Sequence, residues 1–257
     1  MRTRFLVAGA VLALIVAACG GDDKESSPTT TSASGPTTTS GALSQLDVGE
    51  RVTSSGTQLE APSSPDTRQI DPEQACRTFL ETPAGQCDIV MMAGGNALWT
   101  LDALPGSGTG EQVWHLRVRT RSTAMPDGGW DVLLALRENA STLANVTVKA
   151  ADVTGDGRPE LLVGYRSAGT GQFEAYDVVT YEPGKSLEVA AHREQLHKGS
   201  VALEGTTIVD YSADESSPEC CPTTARRTVI PYQGGEFRVS EAGDVPIDQQ
   251  PPDLFAG

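Results

Sequence analysis

The sequence predicts a mainly β protein: an antiparallel meander, sandwich or rolled sheet with one short N-terminal helix. Two observations predict the sheets. Short apolar or alternating segments recur between residues 88 and 239, and clusters of Gly, Pro, Asn and Asp separate them. A third observation limits the helical content, because only residues 71–74 carry the signals of a helix start. No pattern of a nucleotide-binding α/β fold or of a helix bundle is present.

The amino terminus predicts a lipoprotein signal peptide over residues 1–18. Arg2 and Arg4 precede an apolar run that ends at Ala18. The run has about 14 residues, which is short for a membrane span and typical of a signal-peptide core. The small residues before Cys19 resemble the bacterial lipobox, and this resemblance implies cleavage before Cys19 and acylation of its thiol, with palmitate among the acyl chains. The alternative is an ordinary secretory signal with an incidental cysteine.

Residues 19–68 predict a disordered tether after the anchor. They are rich in Ser, Thr, Pro and Gly, and such a composition buries too little apolar surface to offset the entropy of ordering. We therefore expect a lipid-anchored protein on the extracytoplasmic face of the cell membrane. A globular domain is predicted over 69–246, followed by a flexible tail over 247–257.

The negative charge of the chain argues against negatively charged binding partners. There are 19 Lys and Arg residues against 34 Asp and Glu residues, a formal net charge of −15. Nucleic acids and anionic lipid surfaces attract basic faces, so this balance argues against both as partners. A cell-wall component or another envelope protein is the partner that we expect.

The elements of the domain follow in chain order. Asp71 is a helix cap and Pro72 suits the first helical position, which predicts a helix over 72–80. Within the third predicted strand, apolar Leu116 and Val118 alternate with polar neighbours, which indicates one buried and one wet face. The predicted strands are 88–93, 97–103, 112–121, 130–137, 144–151, 160–165, 173–181, 187–191, 200–203, 206–211, 226–232 and 236–239.

The segment 152–160 is the candidate metal site. Oxygen-bearing side chains stand at its first, third, fifth and ninth positions, as Asp152, Thr154, Asp156 and Glu160. Glycines at the fourth and sixth positions let the backbone curl. Ca²⁺ takes six to eight oxygen ligands at about 2.3–2.6 Å, and such a loop supplies most of them.

This segment resembles the FG-GAP/VCBS class of calcium loops, with Thr154 in place of Asn or Asp and Glu160 in place of Asp. The resemblance implies Ca²⁺ as the cofactor and the backbone carbonyl of Arg158 as a further ligand. The chain has one copy, so no propeller is expected. The alternative is a glycine-rich hairpin in which Asp152 and Asp156 accept hydrogen bonds from their own backbone as Asx turns.

Four cysteines besides Cys19 predict a disulfide framework outside the cytoplasm, namely Cys76, Cys87, Cys220 and Cys221. Cys220 and Cys221 are adjacent, and in an extended segment they point to opposite sides. This favours long-range bridges from Cys76 and Cys87 to the 220 region. The alternative is a local Cys76–Cys87 bridge beside a vicinal pair.

The stretch 217–223, which contains Cys-Cys-Pro, runs into an apolar strand. It resembles the carboxy-terminal hairpin of actinobacterial lipoproteins of the LppP/LprE type. The resemblance implies a cell-envelope lipoprotein and supplies no catalytic residues.

Two functions of different classes are expected from these features. The first is a non-enzymatic binding or structural module of the envelope, braced by disulfides and calcium. The alternative is a cell-wall hydrolase that uses carboxylates such as Asp131, Asp177 or Asp210, which requires an accessible pair separated by about 5–9 Å. A solute-binding lipoprotein fits less well, since that class has two α/β lobes.

Overall fold

The protein is described here by a computed structural model that covers residues 46–52, 59–60, 72–106, 112–121, 130–139, 143–168, 172–183, 187–213 and 221–256. The predicted signal peptide, Cys19, Cys220 and most of the predicted tether lie outside these residues. Within the described part, no helix is both long and apolar enough to span a membrane.

The fold is mainly β, as predicted, with one α-helix in the described residues. Two predicted strands have the bounds seen in the structure, β4 and β8. The elements are β1 (Leu59–Glu60), α1 (Pro72–Phe79), β2 (Gln86–Met92), β3 (Gly95–Pro105), β4 (Gln112–Arg121), β5 (Trp130–Asn139), β6 (Leu143–Ala151), β7 (Glu160–Ser167), β8 (Phe173–Tyr181), β9 (Leu187–His197), β10 (Ser200–Glu204), β11 (Thr207–Ala213), β12 (Thr224–Ile230), β13 (Tyr232–Gln233), β14 (Glu236–Phe237), β15 (Glu241–Pro246) and a 3₁₀ turn (Ile247–Gln249).

Three antiparallel sheets form successive layers. The first sheet has the order β1-β5-β4-β3-β2, the middle sheet β6-β7-β8-β9 and the third sheet β10-β11-β12-β15. Strands β13 and β14 form a separate short ladder. Most neighbours in a sheet are also neighbours in the chain, because short turns of Gly, Asn and Asp connect them.

The middle sheet is buried on both faces. On β7, Leu161 and Val163 pack into a core with the first sheet, while Leu162 packs into a second core with the third sheet. Side chains of a strand alternate between its faces, so a strand between two cores must be apolar at consecutive positions. The run Leu161-Leu162-Val163 in the sequence meets this requirement.

Helix α1 covers the outer face of the first sheet. Phe79 is buried against Leu98 and Trp130, and its ring meets the Trp130 ring edge-on at 6.1 Å. The guanidinium of Arg119 lies over the Phe79 ring at 4.4 Å. The predicted wet face of β4 is therefore partly covered by the helix.

The long-range disulfide arrangement was wrong, because Cys76 is bonded to Cys87 across a Cα–Cα distance of 5.5 Å. The reason lies in the turn between α1 and β2. Asp102 accepts hydrogen bonds from the backbone N–H groups of Glu81 (3.1 Å) and Thr82 (2.9 Å). This turn brings the start of β2 back to the helix, so the local bridge is the one that the geometry favours.

The chain after β15 is packed, which differs from the flexible tail expected over 247–257. Phe255 is 5% exposed in the second core, and the backbone N–H of Leu254 donates to the carbonyl of Val201 at 2.6 Å. A Cβ at Gly164 would clash with the Phe255 ring, so this glycine makes room for the aromatic side chain. At the other end, Leu46 and Val52 of the predicted tether are also buried in the second core.

Candidate functional site at the 152–160 loop

The loop between β6 and β7 is closed by the carboxylate of Asp152. Its Oδ1 accepts the backbone N–H of Gly155 at 2.7 Å, and its Oδ2 accepts that of Gly157 at 2.9 Å. Both glycines have positive φ, +80° and +81°. Residues with a Cβ rarely adopt this conformation, which explains why the loop has glycine at both positions.

The other predicted ligands lie in the same loop. Asp156 accepts the backbone N–H of Arg158 at 2.8 Å. Glu160 begins β7 and is 2% exposed. Its Oε2 accepts the N–H groups of Val153 (2.9 Å) and Thr154 (3.2 Å), and its Oε1 accepts the Thr154 hydroxyl at 3.3 Å.

The pKa of the Glu160 carboxyl is raised. Burial is the main cause, the amide groups of Val153 and Thr154 oppose it, and the nearby charge of Asp156 adds to it. The negative charge of Asp156 is therefore close enough to oppose ionisation of Glu160. The Glu160 carboxylate also has a full set of internal hydrogen-bond donors.

The donor set fits Ca²⁺ in type and only in part in arrangement. Each carboxylate oxygen has a second lone pair, and Asp156 keeps one oxygen that accepts none of the hydrogen bonds described. Glu160 faces the backbone instead. In the described residues, no group of three or more His, Cys, Asp or Glu side chains is positioned to hold a metal ion. The hydrogen bonds of Asp152 and Asp156 match the Asx-turn alternative, and calcium binding stays a prediction.

The side chain of Arg158 has a role that the sequence did not indicate. Its Nη1 donates to the carbonyl oxygens of Met92 (3.3 Å) and Ala93 (3.2 Å) in the β2–β3 turn. The same turn is held from β8, because the N–H of Gly94 donates to the carbonyl of Tyr181 at 2.5 Å. The 152–160 loop thus attaches the middle sheet to the first sheet.

Two carboxylates proposed for the hydrolase alternative are buried on opposite faces of the middle sheet. Asp177 accepts the Tyr165 hydroxyl at 2.7 Å and contacts His192 Nδ1 at 2.7 Å. Asp210 accepts the Tyr176 hydroxyl at 3.1 Å and Arg193 Nε at 2.9 Å. Tyr176 and Asp177 are consecutive on β8, so their side chains point to different cores. Asp177 and Asp210 therefore form no pair.

Burial and polar partners shift the pKa values of two side chains that contact these carboxylates, His192 and Tyr176. Burial alone would lower the pKa of the His192 imidazole, but the hydrogen bond and charge of Asp177, with the charge of Glu194, raise it. Burial raises the pKa of the Tyr176 hydroxyl, and the Asp210 charge adds to this rise. The side chain of Asp131 lies outside the described residues.

A carboxylate pair that the sequence did not indicate is formed by Glu174 and Asp253. Arg166 Nη2 donates to Glu174 Oε2 at 3.1 Å and also bonds to Asp253. Glu174 is 1% exposed, and its Oε1 has no hydrogen-bond partner. Burial raises its pKa to about 7, and the charge of Asp253 adds to the rise. This cluster, at the docked carboxy-terminal segment, is closed to solvent on the Glu174 side.

Comparisons with known proteins identify no family. No family model matches the chain, and no curated protein matches it. One similar solved structure is PliI-Ah, a periplasmic lysozyme inhibitor of I-type lysozyme from Aeromonas hydrophyla, at 22% identity and a TM-score of 0.33. The match covers 47% of this chain and 96% of that one. A likeness at this level assigns neither a fold nor a function to the chain.

Proposed function

We propose that this chain is a lipid-anchored envelope protein whose β domain acts as a binding or structural module. The observation that supports a module over an enzyme is the use of its buried carboxylates. In the part of the chain that the structure describes, each of these carboxylates accepts hydrogen bonds from backbone amides or from Arg, Tyr or His inside the domain, and none is more than 2% exposed. They are Asp102, Glu160, Glu174, Asp177 and Asp210.

The proposal has an anchoring part and a calcium part. Cys19 carries the lipid, and the membrane is reached through it on the extracytoplasmic face. Ca²⁺ binds at the 152–160 loop through Asp152, Thr154, Asp156, the carbonyl of Arg158 and Glu160. A cation that restrains this loop also restrains Arg158, and through it the β2–β3 turn. Binding would therefore stiffen the connection between two sheets.

The anchoring part is tested by lipid labelling in cells. Wild-type protein grown with labelled palmitate is expected to carry the label and to sediment with membranes. Cys19→Ser removes the acceptor thiol, so label and membrane association are lost together. Cys221→Ser is the matched control and keeps both. A wild-type protein without label, or a labelled Cys19→Ser protein, would refute the anchor.

The calcium part is tested by thermal unfolding in EDTA and in millimolar Ca²⁺. If the affinity is that of extracellular modules, with Kd about 10⁻⁴–10⁻³ M, then 1 mM Ca²⁺ adds about 0.4–1.4 kcal/mol to the free energy of unfolding. This corresponds to a rise in Tm of about 1–5 °C for a domain of this size.

Asp156→Asn is the informative variant for this test. An Asn oxygen still accepts the Arg158 N–H, so stability in EDTA should stay close to wild type while the calcium response is lost. Mg²⁺ at the same concentration controls for general screening of an acidic protein. Equal calcium responses in wild type and Asp156→Asn, or no response in either, would remove the metal from the proposal.

A further inference from the structure

The carboxy-terminal segment, residues 250–256, covers the edge of β10, which is an end strand of the third sheet. It uses both peptide groups of Val201. The Val201 N–H donates to Asp253 Oδ1 at 3.0 Å, and the Val201 carbonyl accepts the Leu254 N–H at 2.6 Å. The segment therefore occupies hydrogen-bonding groups that an uncovered edge would offer to another strand.

This segment is held by few contacts besides those with Val201. Phe255 is buried in the second core, in the space that Gly164 leaves. Asp253 bonds to the guanidinium of Arg166 on β7. A segment attached by a few side chains opens at a lower free energy than the sheets beneath it.

The charged contact of the segment is a shared one. Arg166 Nη2 lies 3.1 Å from Glu174 Oε2 and also bonds to Asp253, so one positive charge faces two carboxyl groups. Glu174 is 1% exposed, and among the described residues its Oε1 has no hydrogen-bond partner. A carboxylate in such a place is poorly satisfied as an anion, whereas the protonated form carries no charge that burial penalises.

Other charged groups packed near Glu174 are already paired. On the same side of the middle sheet, Arg193 of β9 bonds to Asp210 of β11 at 2.9 Å, and Asp210 also accepts the Tyr176 hydroxyl. His197, at the end of β9, packs against the Phe173 ring at 5.4 Å. Phe173 precedes Glu174 on β8, so this imidazole lies toward the opposite face.

We propose that the carboxy-terminal segment is a pH-sensitive cover of the β10 edge, closed while Glu174 is protonated and opened when Glu174 is ionised. With the proton in place, the charge of Arg166 balances that of Asp253 alone. When the proton passes to bulk solvent, a second negative charge faces Asp253. Movement of Asp253 away with its segment relieves this repulsion and exposes Glu174 to water. The peptide groups of Val201 are then uncovered.

The sign and size of the effect follow from linkage. Burial raises the pKa of Glu174 to about 7 in the closed state, and the charge of Asp253 adds to the rise. In the open state the carboxyl is in water and approaches its ordinary pKa of 4.5. Protons therefore favour the closed state. The equilibrium constant for opening should rise by up to about 30-fold between pH 5.5 and pH 8, and level off above this range.

Hydrogen exchange of the full chain at pH 5.5 and pH 8 tests the cover. The Leu254 amide reports on the segment, because its N–H is bonded to Val201. After division by the intrinsic exchange rate at each pH, its protection factor should fall by up to about 30-fold. Val178, at the centre of the middle sheet, should stay more protected than Leu254 at both pH values. Equal protection of the two amides, or a Leu254 protection factor that does not change with pH, would overturn the proposal.

Three variants identify the group responsible. Glu174→Gln removes the titrating carboxyl, so the Leu254 protection factor should be the same at both pH values. Asp253→Asn keeps an oxygen for the Val201 N–H but removes the second charge, so the response should be smaller than in wild type. Asp248→Asn is the matched control, since Asp248 is an exposed acid just before the segment, and it should keep the full response. A full response in Glu174→Gln, or its loss in Asp248→Asn, contradicts control by Glu174.

Discussion

The carboxylates of Glu160 and Glu174 are almost equally buried, but they have different hydrogen-bond partners. They are 2% and 1% exposed. In the 152–160 loop, Glu160 receives two backbone N–H groups and a hydroxyl. In the carboxy-terminal cluster, Glu174 shares one arginine with Asp253, and its Oε1 has no partner. Its pKa is raised to about 7. The partners, more than the depth of burial, decide what a buried carboxylate costs.

Removal of the Arg166 guanidinium, which Glu174 and Asp253 share, should have the largest effect on the free energy of unfolding. Arg166→Met leaves Glu174 and Asp253 facing each other without a positive charge. Breaking a fully buried ion pair costs about 3–5 kcal/mol. We expect about 2 kcal/mol here, because the Arg166 side chain is 39% exposed and Glu174 can take up a proton. Urea unfolding at pH 7 measures the loss. Adding Glu174→Gln to this variant should restore part of the stability, and an additive double variant would contradict the shared cluster.

The stability of the protein should depend on pH through Glu174, and a Glu174→Gln variant isolates this contribution from that of Glu160, whose pKa is also raised. A folded-state pKa of about 7 against an ordinary value of 4.5 means that the unfolded chain releases its proton first. The Glu174 contribution to stability is therefore present below pH 4.5 and is lost as the pH rises toward 7. The slope is at most about 1 kcal/mol per pH unit.

Urea unfolding of wild type and Glu174→Gln between pH 4.5 and 7.5 measures this contribution as a difference. The raised pKa of His192 acts in the same direction, since its contribution is present below its unfolded pKa and lost above its folded pKa. It is common to both proteins and cancels in the difference. Parallel profiles for the two proteins would show that Glu174 is not the titrating group.

The same two regions show how far the sequence predicts the site. The carboxylates of the loop lie within nine residues of each other, so spacing and glycine positions were enough to predict that they share one loop, while calcium binding there stays a prediction. Arg166, Glu174 and Asp253 come from β7, β8 and the carboxy-terminal segment, and only the folded sheets bring them together. No local pattern marks such a cluster. The contact of the Arg158 side chain also escaped prediction, because its carbonyl partners are more than sixty residues away.

The strands, too, could be predicted where a local sequence pattern marks them and were missed where only the folded sheet decides their pairing. Strands β4 and β8 were predicted with their observed bounds, since turn residues and alternation mark both ends. Strands β1 and β15 were missed. β15 contains Gly243 and mostly exposed residues, so its pairing with β12 is decided by the sheet and not by its own pattern. The buried Phe255 depends in turn on a space at Gly164, which no sequence period reveals.

The smallest expected loss of stability comes from a substitution that changes only the backbone of the 152–160 loop. Gly157 has φ +81°, and a Cβ there would meet no atom within 4 Å. Gly157→Ala therefore introduces backbone strain without a clash, and about 1–2 kcal/mol should be lost. Gly243→Ala is the matched control, because its Cβ is also unobstructed and its φ lies outside the left-handed region, so its stability should stay near wild type. Equal urea midpoints for the two variants would show that the loop accepts a Cβ at position 157 without strain. The contact of the loop with the β2–β3 turn would then depend on the guanidinium of Arg158 and not on a fixed loop backbone.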